Sequence, residues 1–122
     1  MGSMKHSVVL VVSALACLAP VMAGAADKLP TLARETPYSE ARASLLALGW
    51  QPAAPADGEL KCTIGREDVC DAFPETKSCS GTGLARCTFW WRKNNTLVEV
   101  GTVGEDVPEL SVDRFSCRAG CP

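Results

Sequence analysis

LARCTFWWRKNNTLVEVGTV, residues 84–103, is the stretch whose reading decides the fold. Leu84–Arg92 and Thr96–Val103 are dense in aromatic and β-branched residues, and the Asn94-Asn95 pair between them tolerates positive φ. Two strands joined by a tight turn are expected. A two-residue turn fixes the register. Lys93 faces Thr96, Trp91 faces Val98, Phe89 faces Val100 and Cys87 faces Thr102, which collects the apolar side chains on one core face. The same register puts Arg86, Thr88, Trp90 and Arg92 on the other face, opposite Val103, Gly101, Glu99 and Leu97. Trp90 between two arginines and beside Glu99 makes an amphipathic patch, unless a first strand, the tail or the loop around Phe73 lies over it.

Upstream, residues 26–35 show no periodicity and read as a loose lead-in. The helix that follows is well punctuated. Thr36 is an N-cap type, Pro37 suits the first helical position, Glu40 complements the positive helix end and Gly49 suits a left-handed closure. Tyr38, Ala41, Leu45 and Leu48 recur at the three- and four-residue steps of a single buried stripe. With Gly49 just past the cap, Trp50 folds back onto Leu45 as a structural plug. Pro52 and Pro55, with Ala53, Ala54 and Ala56, read as a short stiff linker. Glu59–Ile64 alternates as a half-buried strand with Leu60, Cys62 and Ile64 on one side. Residues 65–75 are expected to contain one helical turn, ending at Pro74, and Ser80-Gly81-Thr82-Gly83 is a loop. A last strand, Glu109–Asp113, turns Leu110 and Val112 inward.

The N-terminus carries an export signature. Lys5 and His6 precede the apolar run Ser7–Ala19, and Ala23-Gly24-Ala25 gives a small-x-small cleavage pattern, so residues 1–25 read as a signal peptide. Met1-Gly2-Ser3 before Met4 is set aside as a scar or an early start. Cys17 inside the leader is the alternative first residue of a lipoprotein, a reading disfavoured by Ala14 where that signal prefers Leu. Residues 26–122 then form a single small domain with six cysteines and no histidine. Removing Lys5 from 12 basic residues leaves 11 against 14 acidic ones, a net charge of −3. That balance argues against nucleic acid, and no Lys/Arg cluster suggests an anionic membrane. Six cysteines after export imply three disulfides in an oxidising compartment rather than a metal centre, since C-x2-C pairs are absent.

The helix ending Gly49-Trp50-Gln51-Pro52, the run Phe73-Pro74-Glu75-Thr76-Lys77-Ser78-Cys79-Ser80-Gly81-Thr82-Gly83, Cys87 and the strand Thr88-Phe89-Trp90-Trp91 form a set. Over residues 36–103 this set resembles a group of small exported bacterial proteins that share the helix, an FPE-x-x-x-C-x-GTG-x-x-x-C core and a hairpin. The resemblance implies a Gram-negative source and export, and brings no activity, substrate or partner with it. Four cysteines recur in that group, corresponding here to Cys62, Cys70, Cys79 and Cys87, so Cys117 and Cys121 look like an added pair. Six cysteines allow fifteen pairings. Cys117–Cys121 is chosen first because both lie outside the resemblance and close a short tail loop, with Cys62–Cys70 and Cys79–Cys87 for the rest.

Catalytic signatures are thin. With no histidine after the leader the commonest general base is missing, and neither Ser-x-x-Lys nor Gly-x-Ser-x-Gly occurs. Cys117-x-x-x-Cys121 lacks redox C-x2-C spacing, and Glu67, Asp68 and Asp71 lack the alternating ligands of a calcium loop. Ser80–Gly83 with Arg86 nearby is a weak anion-loop pattern that backbone geometry beside a disulfide explains equally.

The expected architecture is α+β: one N-terminal amphipathic helix packed on a three- to four-stranded antiparallel sheet, stapled by disulfides. The expected function is a non-enzymatic periplasmic or secreted binding domain, without cofactor, metal or membrane span. It recognises a protein or a cell-envelope component, as an inhibitor or immunity-type factor would, and its site is Trp90, Arg86, Arg92 and Glu99. The alternative is a small hydrolase or carbohydrate-active protein using carboxylates such as Glu75 and Glu99.

Overall fold

The computed structural model describes residues 2–3, 16–18, 28–53 and 62–122. The leader reading therefore lies almost wholly outside the described residues, as do Ala54–Ala56 of the linker and Glu59–Lys61 of the expected strand. Among the described residues the chain runs α1 (Tyr38–Ala47), β1 (Gln51–Pro52), α2 (Glu67–Ala72), β2 (Thr76–Cys79), β3 (Cys87–Lys93), β4 (Thr96–Val103), a 3-10 turn (Val107–Glu109) and β5 (Ser111–Ala119). This is a disulfide-rich α+β fold. The sheet has five antiparallel strands rather than three or four.

The Asn94-Asn95 turn sets the register. Lys93 pairs with Thr96 and the ladder continues through Trp91↔Val98, Phe89↔Val100 and Cys87↔Thr102. Asn94 takes a left-handed φ of 49°, as a tight hairpin demands. The ladder stops at Cys87, so the expected pairing of Arg86 with Val103 does not form, and Val103 pairs with Ser111 of β5 instead. The two unexpected strands share the far edge of β3. Gln51 and Pro52 pair with Arg92 and Trp91, while Thr76–Cys79 pair with Phe89–Cys87. Short and rich in proline and polar residues, both lack the apolar alternation that marks a strand.

α1 closes as its sequence directs. Gly49 has φ 85°, its N–H donates to the Leu46 carbonyl, and the Trp50 N–H donates to the Leu45 carbonyl, the pair of bonds that satisfies the last carbonyls of a helix. Trp50 is buried, and Tyr38, Ala41 and Leu45 form the inward stripe. Leu48 does not join it: at the cap, one residue past the last helical turn, it is 52% exposed. At the other end Pro37 is the cap residue and Thr36 makes no side-chain cap. The Thr36 carbonyl accepts the Val112 N–H, Glu35 N–H donates to the Val112 carbonyl, and Pro37 bridges Ser111. The lead-in thus zips onto β5 and rests Leu29 and Leu32 against the core.

Cys62–Ile64 forms no strand, and Ile64 points outward at 92% exposure. A turn at Gly65, φ 88°, and the Cys62–Cys70 bond draw this segment onto α2. The other bonds are Cys79–Cys87, across paired strands, and Cys117–Cys121. The last strand begins two residues later than expected, because Glu109 belongs to the 3-10 turn, and runs on to Ala119. Leu110 and Val112 are buried. β5 lies at the sheet edge and carries two register shifts, opposite Leu97/Val98 and Gly101/Thr102, of the kind that interrupts continuous edge pairing. No helix among the described residues is long and apolar enough to cross a membrane.

Candidate functional site

Alternation along β3 sends Cys87, Phe89 and Trp91 into the core beneath α1 and Thr88, Trp90 and Arg92 to the opposite face. Trp90 is half-buried there. Its Nε1–H donates to Glu99 Oε2 at 2.8 Å, across the directly opposed pair of the ladder, and Lys77 Nζ sits 4.6 Å from its ring centroid. A hydrogen bond in the ring plane and a cation over the ring fix the indole orientation without covering it.

Gly101, beside Trp90 on this face, makes room for Arg114: a Cβ at Gly101 would meet Arg114 Cγ at 2.6 Å. Arg114 Nη2 lies 3.9 Å from Glu99 Oε1. Arg86 does not join Trp90 but pairs with Asp113, which Arg34 also contacts at 3.1 Å. Hydrogen bonding from Arg86, with Arg34 adding its charge, holds the Asp113 carboxyl below the usual carboxylate range. Arg92 is exposed, two residues along the strand from Trp90, and makes no ion pair among the described residues. Of the four expected site residues, then, Trp90 and Glu99 touch, Arg92 flanks them and Arg86 is held by Asp113 rather than by Trp90.

Sequence reasoning missed Lys77, because no strand was expected over Thr76–Cys79, and Arg114. Gly101 in mid-strand was the available signal for Arg114, since a glycine inside a strand often marks close approach by a neighbour.

Glu75 and Glu99 do not share a cleft. Glu75 is fully buried on the core side, where Tyr38 Oη–H donates to Oε1 at 2.9 Å and Arg42 Nε donates to the same oxygen at 2.7 Å. Tyr38 in turn stacks on Phe89, centroids 4.0 Å apart, which puts the cluster on the face opposite Trp90 and Glu99.

The glycine loop holds a cavity of about 450 Å³, bordered by Gly65, Gly81, Gly83, Glu105 and Asp106. Its cation is Arg66 rather than the expected Arg86. Arg66 is 4% exposed and donates to the carbonyls of Ser80, Ala85 and Gly104 at 2.8, 3.1 and 3.0 Å, with no carboxylate partner among the described residues. It acts as a clamp that gathers three segments by their carbonyl dipoles. No cluster of three or more metal-ligating side chains occurs among the described residues.

No protein-family model, curated protein or solved structure matches the chain.

Proposed function

We propose that this protein is an exported, non-enzymatic binding domain, periplasmic or secreted, that recognises a protein or cell-envelope component through the outer face of the β3–β4 hairpin. The observation that carries this reading is Trp90: half-exposed, oriented by Glu99 and Lys77, and on the opposite side of the sheet from α1 and the core. Tryptophan and arginine dominate binding hot spots, and an indole already held in place loses little freedom on binding. Three disulfides suit an oxidising compartment, and the export signature of residues 1–25 agrees with it. An inhibitor or immunity-type factor works by this kind of docking. The hydrolytic reading gains no support, because its two carboxylates stand on opposite faces of the sheet.

The test is capture from envelope extract on immobilised protein, wild type against Trp90→Ala, with bound species identified by mass spectrometry. A partner retained by the wild type and lost from a folded Trp90→Ala variant supports the proposal. Equal retention by both removes the outer face as the site.

A further inference from the structure

We infer that the surface this face accepts is an acidic protein surface, an inference that rests on the outer face being the docking site. The whole chain is acidic, with a formal net charge of −2, yet charge is segregated on the fold. The outer face presents Lys77, Arg86, Arg92 and Arg114, with Arg34 at its edge. The two carboxylates that pair with these cations are recessed beneath them. The Glu99 and Asp113 side chains are 13% and 18% exposed, against 44% for Arg86, 53% for Arg114 and 78% for Arg34. An approaching molecule meets guanidinium and ammonium groups first.

The opposite sign is concentrated elsewhere. Glu67, Asp68 and Asp71 of α2, which packs against the 3-10 turn, and Glu105, Asp106 and Glu109 about that turn are all exposed. None of the six makes an ion pair among the described residues. Such a dipolar surface steers an anionic partner onto the basic face and repels it from the acidic end.

The chemistry of the face favours a protein over a lipid surface. Its single exposed aromatic is held by a hydrogen bond and a cation, and none of the large exposed apolar residues, Leu18, Leu46, Leu48, Ile64 and Leu84, lies on strands β2–β5. Among the described residues, strands β2–β5 offer none of these side chains for insertion into a bilayer. Four of the five cations are arginine, whose planar fork pairs bidentately with carboxylates, set around one oriented indole.

Trp90 makes the inference testable before any partner is identified, because Trp50 and Trp91 are buried at 1% and 0% exposure. Its fluorescence in the full chain reports the potential at the face. Relative to free N-acetyltryptophanamide at low ionic strength, iodide is expected to quench it about threefold more effectively than caesium, and this excess is expected to vanish in Lys77→Glu or Arg92→Glu. Poly-L-glutamate is then expected to bind, shield Trp90 from iodide and dissociate as salt rises. Phosphatidylglycerol vesicles, run in parallel, are expected not to bind. An iodide-to-caesium ratio equal to that of free N-acetyltryptophanamide, binding to vesicles but not to poly-L-glutamate, or salt-sensitive self-association in sedimentation would each overturn the inference, the last by making a second copy the occupant. Those results leave the docking face itself standing if Trp90→Ala still abolishes capture of an envelope partner.

Discussion

Tyr38 and Glu75 meet inside the core, the phenol hydroxyl donating to the carboxylate at 2.9 Å with both side chains fully buried. Arg42, one helical turn after Tyr38, completes the ion pair, and Trp91 Nε1–H donates to the phenol oxygen at 3.2 Å. One chain of polar contacts thereby joins α1, the turn before β2 and the central strand β3. Around it Tyr38 stacks on Phe89, and Phe73 stands edge-on to both. The Phe-Pro-Glu of the loop is accordingly an anchor. Its phenyl ring and its carboxylate fix where the helix sits on the sheet, a specificity that an apolar contact alone would leave looser.

The first prediction uses the fact that Tyr38 is the only tyrosine in the chain. Burial, and next the Glu75 charge, push its pKa well above the ordinary value of 10.0. A raised folded pKa means that this contribution to stability is complete below about pH 10 and is lost progressively as pH rises above it. Absorbance at 295 nm during alkaline titration is expected to show no phenolate until the fold opens, and then a cooperative rise coincident with loss of circular dichroism. A smooth one-proton titration in the folded protein would contradict the buried network.

Removing the carboxylate separates charge from shape. Glu75→Ala is expected to cost about 3–5 kcal/mol, because it strands Arg42 and the Tyr38 hydroxyl together. Glu75→Gln keeps a hydrogen-bond acceptor and is expected to cost less. Urea unfolding of both, combined with Tyr38→Phe in a double-mutant cycle, measures the coupling. Additive costs would mean that the two groups do not act as a unit.

The hairpin and the closure of α1 were legible because each rests on local chemistry. Two asparagines dictate a turn that sets every pair from Lys93↔Thr96 to Cys87↔Thr102, and Gly49 dictates the helix end that seats Trp50. What escaped the sequence is held by distant partners. β1 and β2 exist only as edges offered by β3, and Ile64 turns outward because Cys62 is tied to α2. The site was half legible for the same reason. Trp90 and Glu99 face each other by register, whereas Lys77 and Arg114 arrive from strands whose presence or extent was not visible, and Arg86 is drawn off by Asp113. Arg42, a cation next to a buried stripe, was a readable hint of a buried carboxylate. Arg66 left none.

On the acid side, the lowered pKa of Asp113 gives the opposite sign. Its stabilising contribution is present above the unfolded value of about 3.9 and is lost as pH falls through the folded value. Asp113→Asn is expected to flatten the acid limb of the stability profile below about pH 4 while leaving the alkaline limb unchanged. Thermal melts from pH 2 to pH 7 decide it, and an unaltered acid limb would show that the pairs with Arg86 and Arg34 contribute nothing.

Arg66 is expected to be among the most damaging positions to change, because its buried guanidinium serves three carbonyls and also donates to Cys87 Sγ at 3.3 Å. Arg66→Met leaves the carbonyls of Ser80, Ala85 and Gly104 without their donor, at about 1–3 kcal/mol for each acceptor that stays buried. Hydrogen exchange is the sharper measurement. Protection is expected to fall first at Ala85 and Gly104, whose own amides close this loop by bonding to the Thr82 and Leu84 carbonyls. A uniform loss across the sheet would mean that Arg66 supports the whole fold rather than the loop.

The last prediction sets two neighbours in β3 against each other. Phe89 is fully buried against Tyr38 and Phe73, so Phe89→Ala removes a ring from a packed cluster and is expected to cost about 3–5 kcal/mol. Trp90, one residue on, points to the other face and loses on truncation one cross-strand pair with Glu99 and one cation contact with Lys77, expected to cost about 1 kcal/mol. On partner binding the order reverses. Trp90→Ala is expected to weaken it by about 2 kcal/mol or more, roughly thirtyfold in affinity, at a nearly unchanged melting temperature. Melting temperatures together with retention on the envelope partner separate the outcomes. If Trp90→Ala lowers the melting temperature as far as Phe89→Ala does, the indole belongs to the packing of the sheet and the outer face loses its claim to be a site.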